Sequence, residues 1–462
     1  MTSKGCEKGA FKEETGSVCM DPLSCLPQEI LGEILSLLPT KLAASTSVLS
    51  KKWRYLFAQV HNLDLDDSVL LQPPPEGKEG RDKIKESFRN FVERTLALQC
   101  GYPIKKFSIS YLYTNNTDVV NVRRWITSVV ERGVLEVDFT LRPRWEGLIK
   151  TDEVHGDCLL PCYLFRSKTL VKLSLGTDAN IGKLPPDVFL PALKILFLDT
   201  IVFEDQDLCD VLLPGCPVLD ELTFLHRTFF NPYRISSQSI KKLRLFYDYD
   251  EGIVDGSVMS LDAPSLVSLD YTDFALSAYP LVNLGSSLLE AKLDLSYCKK
   301  KIKRPDLSGL FVGISNVETL HLSPDSADVI ARCVKHGLVL PVFKNIVSLS
   351  FGSNNKRGWK LLPYLLKQSP KLETLIIQGL DDYTGDVTIG LFQVKVLDVL
   401  GYKGTAKELL NLKSLLAGTE CIPKLRVEFP EDVVVDDAKI IQTRMDLFTL
   451  VGVAPAYISY FE

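Results

Sequence analysis

Histidine, tryptophan and methionine are scarce in this chain of 462 residues, with five, four and four copies respectively. The histidines, at 61, 155, 226, 321 and 336, stand far apart, and none shares a nucleophile signature with a serine or cysteine. His155-Gly156-Asp157 has no such partner, and the chain holds no glycine-rich phosphate loop or dinucleotide fingerprint. No catalytic residue and no cofactor is therefore expected. Excess positive charge is also missing: 53 basic residues against 58 acidic ones leave a formal charge of −5 and a pI near 5.7. Without a basic field there is nothing to collect nucleic acid or anionic lipid, so protein partners are favoured. No stretch approaches the ~20 apolar residues of a membrane span, and MTSKGCEKGAFKEETGSVCM lacks the apolar core of a signal peptide. The nucleus or cytoplasm is the expected location, with no membrane partner. Eleven cysteines, an odd number, are scattered through apolar segments, which reads as reduced core thiols. Cys158 and Cys162 are the nearest pair, yet no second pair or histidine follows at ligand spacing, so no metal site is expected. Asn115-Asn116-Thr117 reads as a polar turn.

What the chain does have begins at Asp21. In DPLSCLPQEILGEILSLLPTKLAASTSVLSKKWRYLF, Pro27 suits a first helical turn and Ile30, Leu31, Ile34, Leu35 and Leu38 recur at helical spacing until Pro39. Thr40 is placed to cap a second helix through Leu49, and Ser50 a third carrying Trp53 and Leu56. Three short helices of under about 40 residues seldom fold alone, so their apolar excess invites an external surface. The stretch resembles an F-box of the plant form, through Leu26-Pro27, Pro39-Thr40-Lys41 and the segment from Ser47 to Arg54; it departs from that pattern at Lys52 and Phe57. The resemblance implies docking to a Skp-type adaptor, and through it to the cullin and RING subunits of a ubiquitin ligase. The adaptor contacts it implies are Leu26, Pro27, Ile30, Ile34, Leu35, Leu38, Pro39, Val48, Leu49 and Trp53.

Residues 1–20 are small, polar and charged, as in a disordered tail. After residues 21–60, assigned to the F-box, Val60, Leu63 and Leu65 form an apolar triplet. Asp64, Asp66 and Asp67 read as a solvated loop edge, and LQPPPEGKEG from Leu71 as an exposed loop. A helix then carries Ile84, Phe88, Phe91, Val92, Thr95 and Leu96 on one side and ends near Gly101. The pattern of an apolar residue, two others, an apolar residue, one other and an apolar residue now takes over. Its middle residues are Phe107, Val137, Leu173, Leu196, Leu222, Leu243, Leu269, Leu293, Leu320, Leu349, Leu375, Leu397 and Leu425, and from Leu173 the spacings run from 21 to 29 residues. This is a leucine-rich-repeat period, in which each unit supplies a short strand and borrows its neighbours' core to form a curved solenoid. Glu290 stands out as a charged residue where the first apolar position belongs.

The expected fold is thus an α/β repeat: a three-helix F-box, first irregular repeats with an inserted helix over 61–160, leucine-rich repeats over 161–390 and a capping region over 391–462. FRSKTLVKLSLG from Phe165, LPGCPVLDELTF from Leu213 and SLDAPSLVSLDYTDF from Ser260 resemble plant F-box/leucine-rich-repeat proteins. GYKGTAKELLNLKSLLAGTECIPKLRVEF from Gly401 resembles the FBD module that closes many of them, with Val399 and Leu400 where a tryptophan is usual. The implied function is the substrate-recognition subunit of a Skp-cullin-F-box E3 ligase, itself non-catalytic, holding an unknown protein target; the alternative is a protein-binding scaffold with no link to ubiquitin. Lys299-Lys300-Lys301-Ile302-Lys303-Arg304 is the one dense basic run and reads as a solvated repeat loop, with a nuclear import signal or a phosphate-facing patch as the alternatives. Side chains between the inward apolar positions face the concave side, where basic and acidic residues balance at six each. Among them Ile195, Phe197, Leu225 and Phe246 fall on three successive strands and form the candidate target-binding patch.

Overall fold

The computed structural model describes residues 26–68, 77–99, 101–113, 116–143, 160–177, 181–201, 203, 206–226, 234–247, 258–297, 305–380, 383, 394–417, 424–430, 437–451 and 457–458. The 1–20 tail, the loop prolines, Cys158, His155 and the basic run 299–304 lie outside these residues.

Three short helices open the described chain: α1 (Gln28–Ser36), α2 (Thr40–Ser45) and α3 (Lys51–Phe57). Pro27 and Pro39 stand in extended conformation just before α1 and α2, where a missing N–H costs nothing. Ser50 caps α3, its hydroxyl accepting from Trp53 N–H at 3.4 Å. The second helix is shorter than the sequence suggests, passing at Thr46 into a 3-10 turn. Nor does the Thr40 hydroxyl cap it, because Oγ1 is taken by the amide of Asp64.

Parallel strands then alternate with convex-side segments. The early part is β1 (Asn62–Asp66), α4 (Gly77–Leu98), β2 (Lys106–Tyr113), α5 (Asn116–Glu131) and β3 (Glu136–Pro143). The helix α4 already begins at Gly77, inside the stretch expected as loop, and Gly101 after it takes a φ of 98°, as a helix-ending glycine does. In α5 the β-branched run Val119, Val120, Val122, Ile126, Thr127 gave no helical preference, yet Val122, Trp125, Ile126 and Val129 bury one continuous face. Asp64 and Asp66 sit on β1 rather than in a loop, and Asp67 is buried, accepting from Leu112 N–H and paired with Arg142.

The middle strands are β4 (Lys172–Thr177), β5 (Ile195–Asp199), β6 (Glu221–His226), β7 (Arg234–Ser236), β8 (Lys242–Tyr247), β9 (Val258–Asp262), β10 (Ser268–Phe274), β11 (Ala278–Asn283) and β12 (Glu290–Ser296). The C-terminal third adds α6 (Ser308–Gly313), β13 (Thr319–Leu322), α7 (Pro324–Lys335), β14 (Ser348–Phe351), α8 (Lys356–Trp359), α9 (Leu361–Gln368), β15 (Thr374–Gln378), β16 (Val396–Leu400), α10 (Ala406–Leu416), β17 (Lys424–Val427), α11 (Asp437–Val451) and β18 (Tyr457–Ile458). Among the described residues fifteen strands, all but β7, β9 and β11, make one parallel sheet in chain order. The other three form a second parallel sheet, where most other repeats carry a helix or a helical turn. That second sheet was not foreseen: its strands are short and lie only about 25 residues apart, in the same repeats that supply the long sheet.

The register corrects one reading. Leu269 pairs with Ala291, and Ala291 with Leu320, so the middle residue of β12 is Ala291 and not Leu293. The triplet is therefore Leu288, Ala291 and Leu293, all buried, and Glu290 lies on the concave face as Ser268 and Thr319 do. An alanine is too weakly apolar to mark a core position, which slid the pattern by two residues. Elsewhere the inward triplets stack in register, and the core they form runs unbroken from Leu31 to Leu447.

Candidate functional site

The N-terminal module divides its apolar residues between two surfaces. Leu31, Leu35, Ala43, Leu56 and Phe57 are buried and join Val60, Leu63 and Leu65 in the solenoid core. Leu35 is only 1% exposed, so it cannot meet a partner; the candidate contact set is corrected there. Leu26, Leu38 and Trp53 are half-buried against the same core. Pro27, Ile30, Ile34, Pro39, Val48 and Leu49 are exposed, Val48 and Leu49 to 83% and 68%. Three large exposed side chains were missed: Leu37 at 82%, Leu42 at 56% and Tyr55 at 72%. For Leu37 a signal existed, since apolar residues at 30, 31, 34, 35, 37 and 38 circle more of α1 and its C-terminal turn than one core-facing stripe can absorb.

On the concave face, Ile195, Phe197, Leu225 and Phe246 are all half-exposed and lie outside the buried core. Their levels differ. Leu225 and Phe246 are direct neighbours across β6 and β8, level with Asp199. Phe197 stands one step lower, level with Thr223 and Arg244, and Ile195 one step lower again, level with Glu221 and Lys242. The four therefore make a diagonal stripe across strands ~4.8 Å apart. At its upper end the chain leaves β5 through Thr200, a buried threonine with φ of 55°, a region that β-branched residues rarely adopt. Its N–H donates to Leu225 O at 2.7 Å and its hydroxyl to Asp199 Oδ1 at 2.8 Å, which hold the turn in place. A second half-exposed apolar group, Ile376, Val396 and Leu400, lies further along the same face on β15 and β16.

Between these groups the face is charged but internally paired. Lys242 meets Glu221 at 2.6 Å, Arg244 meets Asp270 at 3.0 Å, and Glu290 reaches both Lys292 and His321 at 3.3 and 3.4 Å. Arg426 binds Asp398 through two nitrogens. Burial, reinforced by Lys292, holds the His321 imidazole below its ordinary pKa despite Glu290. With the register of β12 corrected, Glu290 replaces Ser296 on the face, giving six basic and seven acidic residues from β4 onward, so no positive field appears. Among the described residues no His, Cys, Asp and Glu group has metal-binding geometry, and no helix is long and apolar enough to cross a membrane.

A model of the F-box domain matches residues 23–65, and a model described as the leucine-rich repeats of the FBD-associated F-box protein At5g56370 matches residues 122–279. The F-box/LRR-repeat protein At3g60040 of Arabidopsis thaliana is 49% identical over 443 residues, covering 94% of this chain and 95% of that protein. The chain belongs to the plant F-box/leucine-rich-repeat family. Two further Arabidopsis members, the F-box/LRR-repeat protein At1g06630 and the putative F-box/LRR-repeat protein At3g44810, are 47% and 40% identical, over 91% and 94% of this chain. The F-box match takes in α1, α2, α3 and most of β1, so it ends on the first strand of the solenoid rather than before it. F-box domains generally bind Skp-type adaptors, and F-box/leucine-rich-repeat proteins are generally non-catalytic.

Proposed function

We propose that this F-box/leucine-rich-repeat protein is the substrate-recognition subunit of a Skp-cullin-F-box E3 ubiquitin ligase. The observation that carries the reading is the wet apolar surface of the F-box. Ile30, Ile34, Leu37, Leu42, Val48, Leu49 and Tyr55 are exposed within 26 residues, while the module's other side is buried in the solenoid. A soluble chain keeps so dense an apolar surface only where a partner covers it. Pro27, Pro39 and the half-buried Leu26, Leu38 and Trp53 border that surface. A Skp-type adaptor docks there, bringing cullin and RING subunits, and the repeats hold a protein target through Ile195, Phe197, Leu225 and Phe246. The chain needs no catalytic group, because it acts by raising the target's effective concentration beside the charged conjugating enzyme.

The nucleus or cytoplasm is the compartment this role requires. Cys209, Cys216 and Cys333 are buried, and burial pushes their thiols up to about 12, 12 and 11, far from the reactive thiolate form.

Binding to a purified Skp-type adaptor tests the reading. Losing ~1.5 kcal/mol of burial at each of three side chains should weaken capture by Ile34→Ala/Val48→Ala/Leu49→Ala by about a thousand-fold. Because these residues are exposed, melting should stay as in the parent. Unchanged capture by that variant would show that the adaptor does not dock on this surface, and a parent that captures no adaptor would be a binding scaffold without a ligase.

A further inference from the structure

The first strand of an open sheet presents a row of backbone groups that must be covered or left wet. Here that edge belongs to β1, and the side chains that reach it come from the F-box. On one side β1 pairs with β2 along its length, and the pairing continues past both ends: Asp67 N–H donates to Ser110 O at 3.2 Å, and His61 O accepts from Lys105 and Lys106 at 2.8 and 3.2 Å. Asp64 N–H faces the other way and donates to Thr40 Oγ1 at 2.6 Å. Thr40 is fully buried, and its hydroxyl is spent on this bond rather than on its own helix. Beside it, His61 N–H donates to Ser36 Oγ at 3.2 Å, the Ser36 hydroxyl donates to Gly32 O at 2.8 Å, and Asn62 Nδ2 donates to Ser36 O at 3.3 Å. Glu33 adds ion pairs to His61 at 3.3 Å and Lys105 at 3.7 Å on the wet side.

We infer that Thr40 and Ser36 are positioning residues: together with the buried contact of Leu31, Leu35, Ala43, Leu56 and Phe57 they seat the F-box on the edge of β1 as the N-terminal cap of the solenoid, and so fix the adaptor-facing surface relative to the concave face. The exposed surface of α1, α2 and α3 and the hydroxyls that reach β1 belong to opposite sides of the same small module. A target on β5, β6 and β8 then stands at a fixed distance and angle from the adaptor, set by four strands of parallel pairing and by these two hydroxyls. The capping role does not depend on whether the exposed side binds a Skp-type protein.

Hydrogen exchange on the full chain tests it, read in peptides covering residues 60–66. Thr40→Val keeps the shape and removes the acceptor; Thr40→Ser keeps the acceptor. Leaving a buried amide unpaired should speed exchange of that segment about ten-fold in Thr40→Val and further in Ser36→Ala/Thr40→Val, while Thr40→Ser should match the parent. Parent-like exchange in the double variant, or a Thr40→Ser variant as labile as Thr40→Val, would overturn the inference. Adaptor binding is a separate arm: loss of it in the parent would sink the ligase reading while leaving the exchange result to decide the cap.

Discussion

Asp273 is a carboxyl group placed where charge is costly. It is buried on β10, accepts from Tyr271 Oη and from Phe274 N–H, both at 2.7 Å, and has the Tyr279 hydroxyl 3.3 Å beyond Tyr271. Burial raises its pKa to about 7, against the opposing effect of those two donors. The sign follows from linkage: the folded form keeps its proton up to about 7 while the unfolded carboxyl releases it near 3.8. The native state therefore holds more protons between those values, stability falls as pH rises through that window, and the full cost is present above it. Asp273→Asn removes the cost, because the amide donates to Tyr271 Oη while Tyr271 turns its proton to Tyr279. The expected gain is about 2–4 kcal/mol at pH 8, shrinking to little near pH 4. Urea unfolding at both pH values measures it, and a gain independent of pH would refute it. Gly309 is the opposite kind of residue, one where any side chain is too much. A Cβ there would lie 2.0 Å from Tyr279 O, because α6 rests directly on β11. Gly309→Ala should cost about 3 kcal/mol by overpacking, seen as a lower urea midpoint with an unchanged slope.

At the scale of the element, the strands of the long sheet from β1 to β17 were legible and the segments between them, β7, β9 and β11 included, were not. Each strand announces itself by a triplet such as Leu196 with Leu193 and Leu198, because a short strand whose alternate side chains are buried needs no more than that pattern. The triplet misleads where a small residue takes the middle place, as Ala291 does. The convex side has no fixed period: α5, α7 and the pair α8 and α9 fill it in some repeats, and the sheet β11-β9-β7 in others. Any segment that covers the strands will serve there, so sequence specifies it weakly. Within the F-box the helices were legible but not their two-sidedness, since Leu35 and Ile34 look alike until the solenoid covers one of them. The candidate target patch was legible because it lies on strands whose register the triplets set. Phe197 and Phe246 are half-exposed and outside the core, so Phe197→Ala/Phe246→Ala should lower the melting temperature by no more than about 5 °C. That variant should keep adaptor binding and lose the target. A drop beyond about 10 °C would show the two rings to be structural.

For the whole molecule, the continuity of the core decides how it unfolds. Repeat arrays are sums of units and nearest-neighbour interfaces, and a long one splits into separate transitions wherever an interface is weak. Weak points would be expected at the two changes of architecture. At the first, where irregular repeats meet the regular ones, α5 packs against the helical turn at Cys162–Arg166, and β3 pairs with β4 over six residues. Lys85, Asp118 and Tyr111 brace the same end: Lys85 Nζ lies 3.0 Å from Asp118 Oδ2, Tyr111 Oη donates to Oδ1 at 2.8 Å, and all three are buried. At the second, where the convex sheet gives way to helices, α6 closes on β11 without room for a methyl group at Gly309. Neither junction is loose. Three tryptophans report from separate stations: Trp53 in the F-box, Trp125 packed edge-on to Tyr111, and Trp359 between Phe351 and Tyr383. In full-length protein labelled with 5-fluorotryptophan, the native fluorine resonances of all three should fade with one urea midpoint, coincident with circular dichroism. Midpoints separated by more than about 0.5 M would mean that a junction yields first, and the resonance that fades early would say which. Cutting the array near residue 231 should then produce fragments that aggregate, because the parallel edge of β6 and the apolar triplet Leu219, Leu222 and Phe224 would lose the neighbour that covers them.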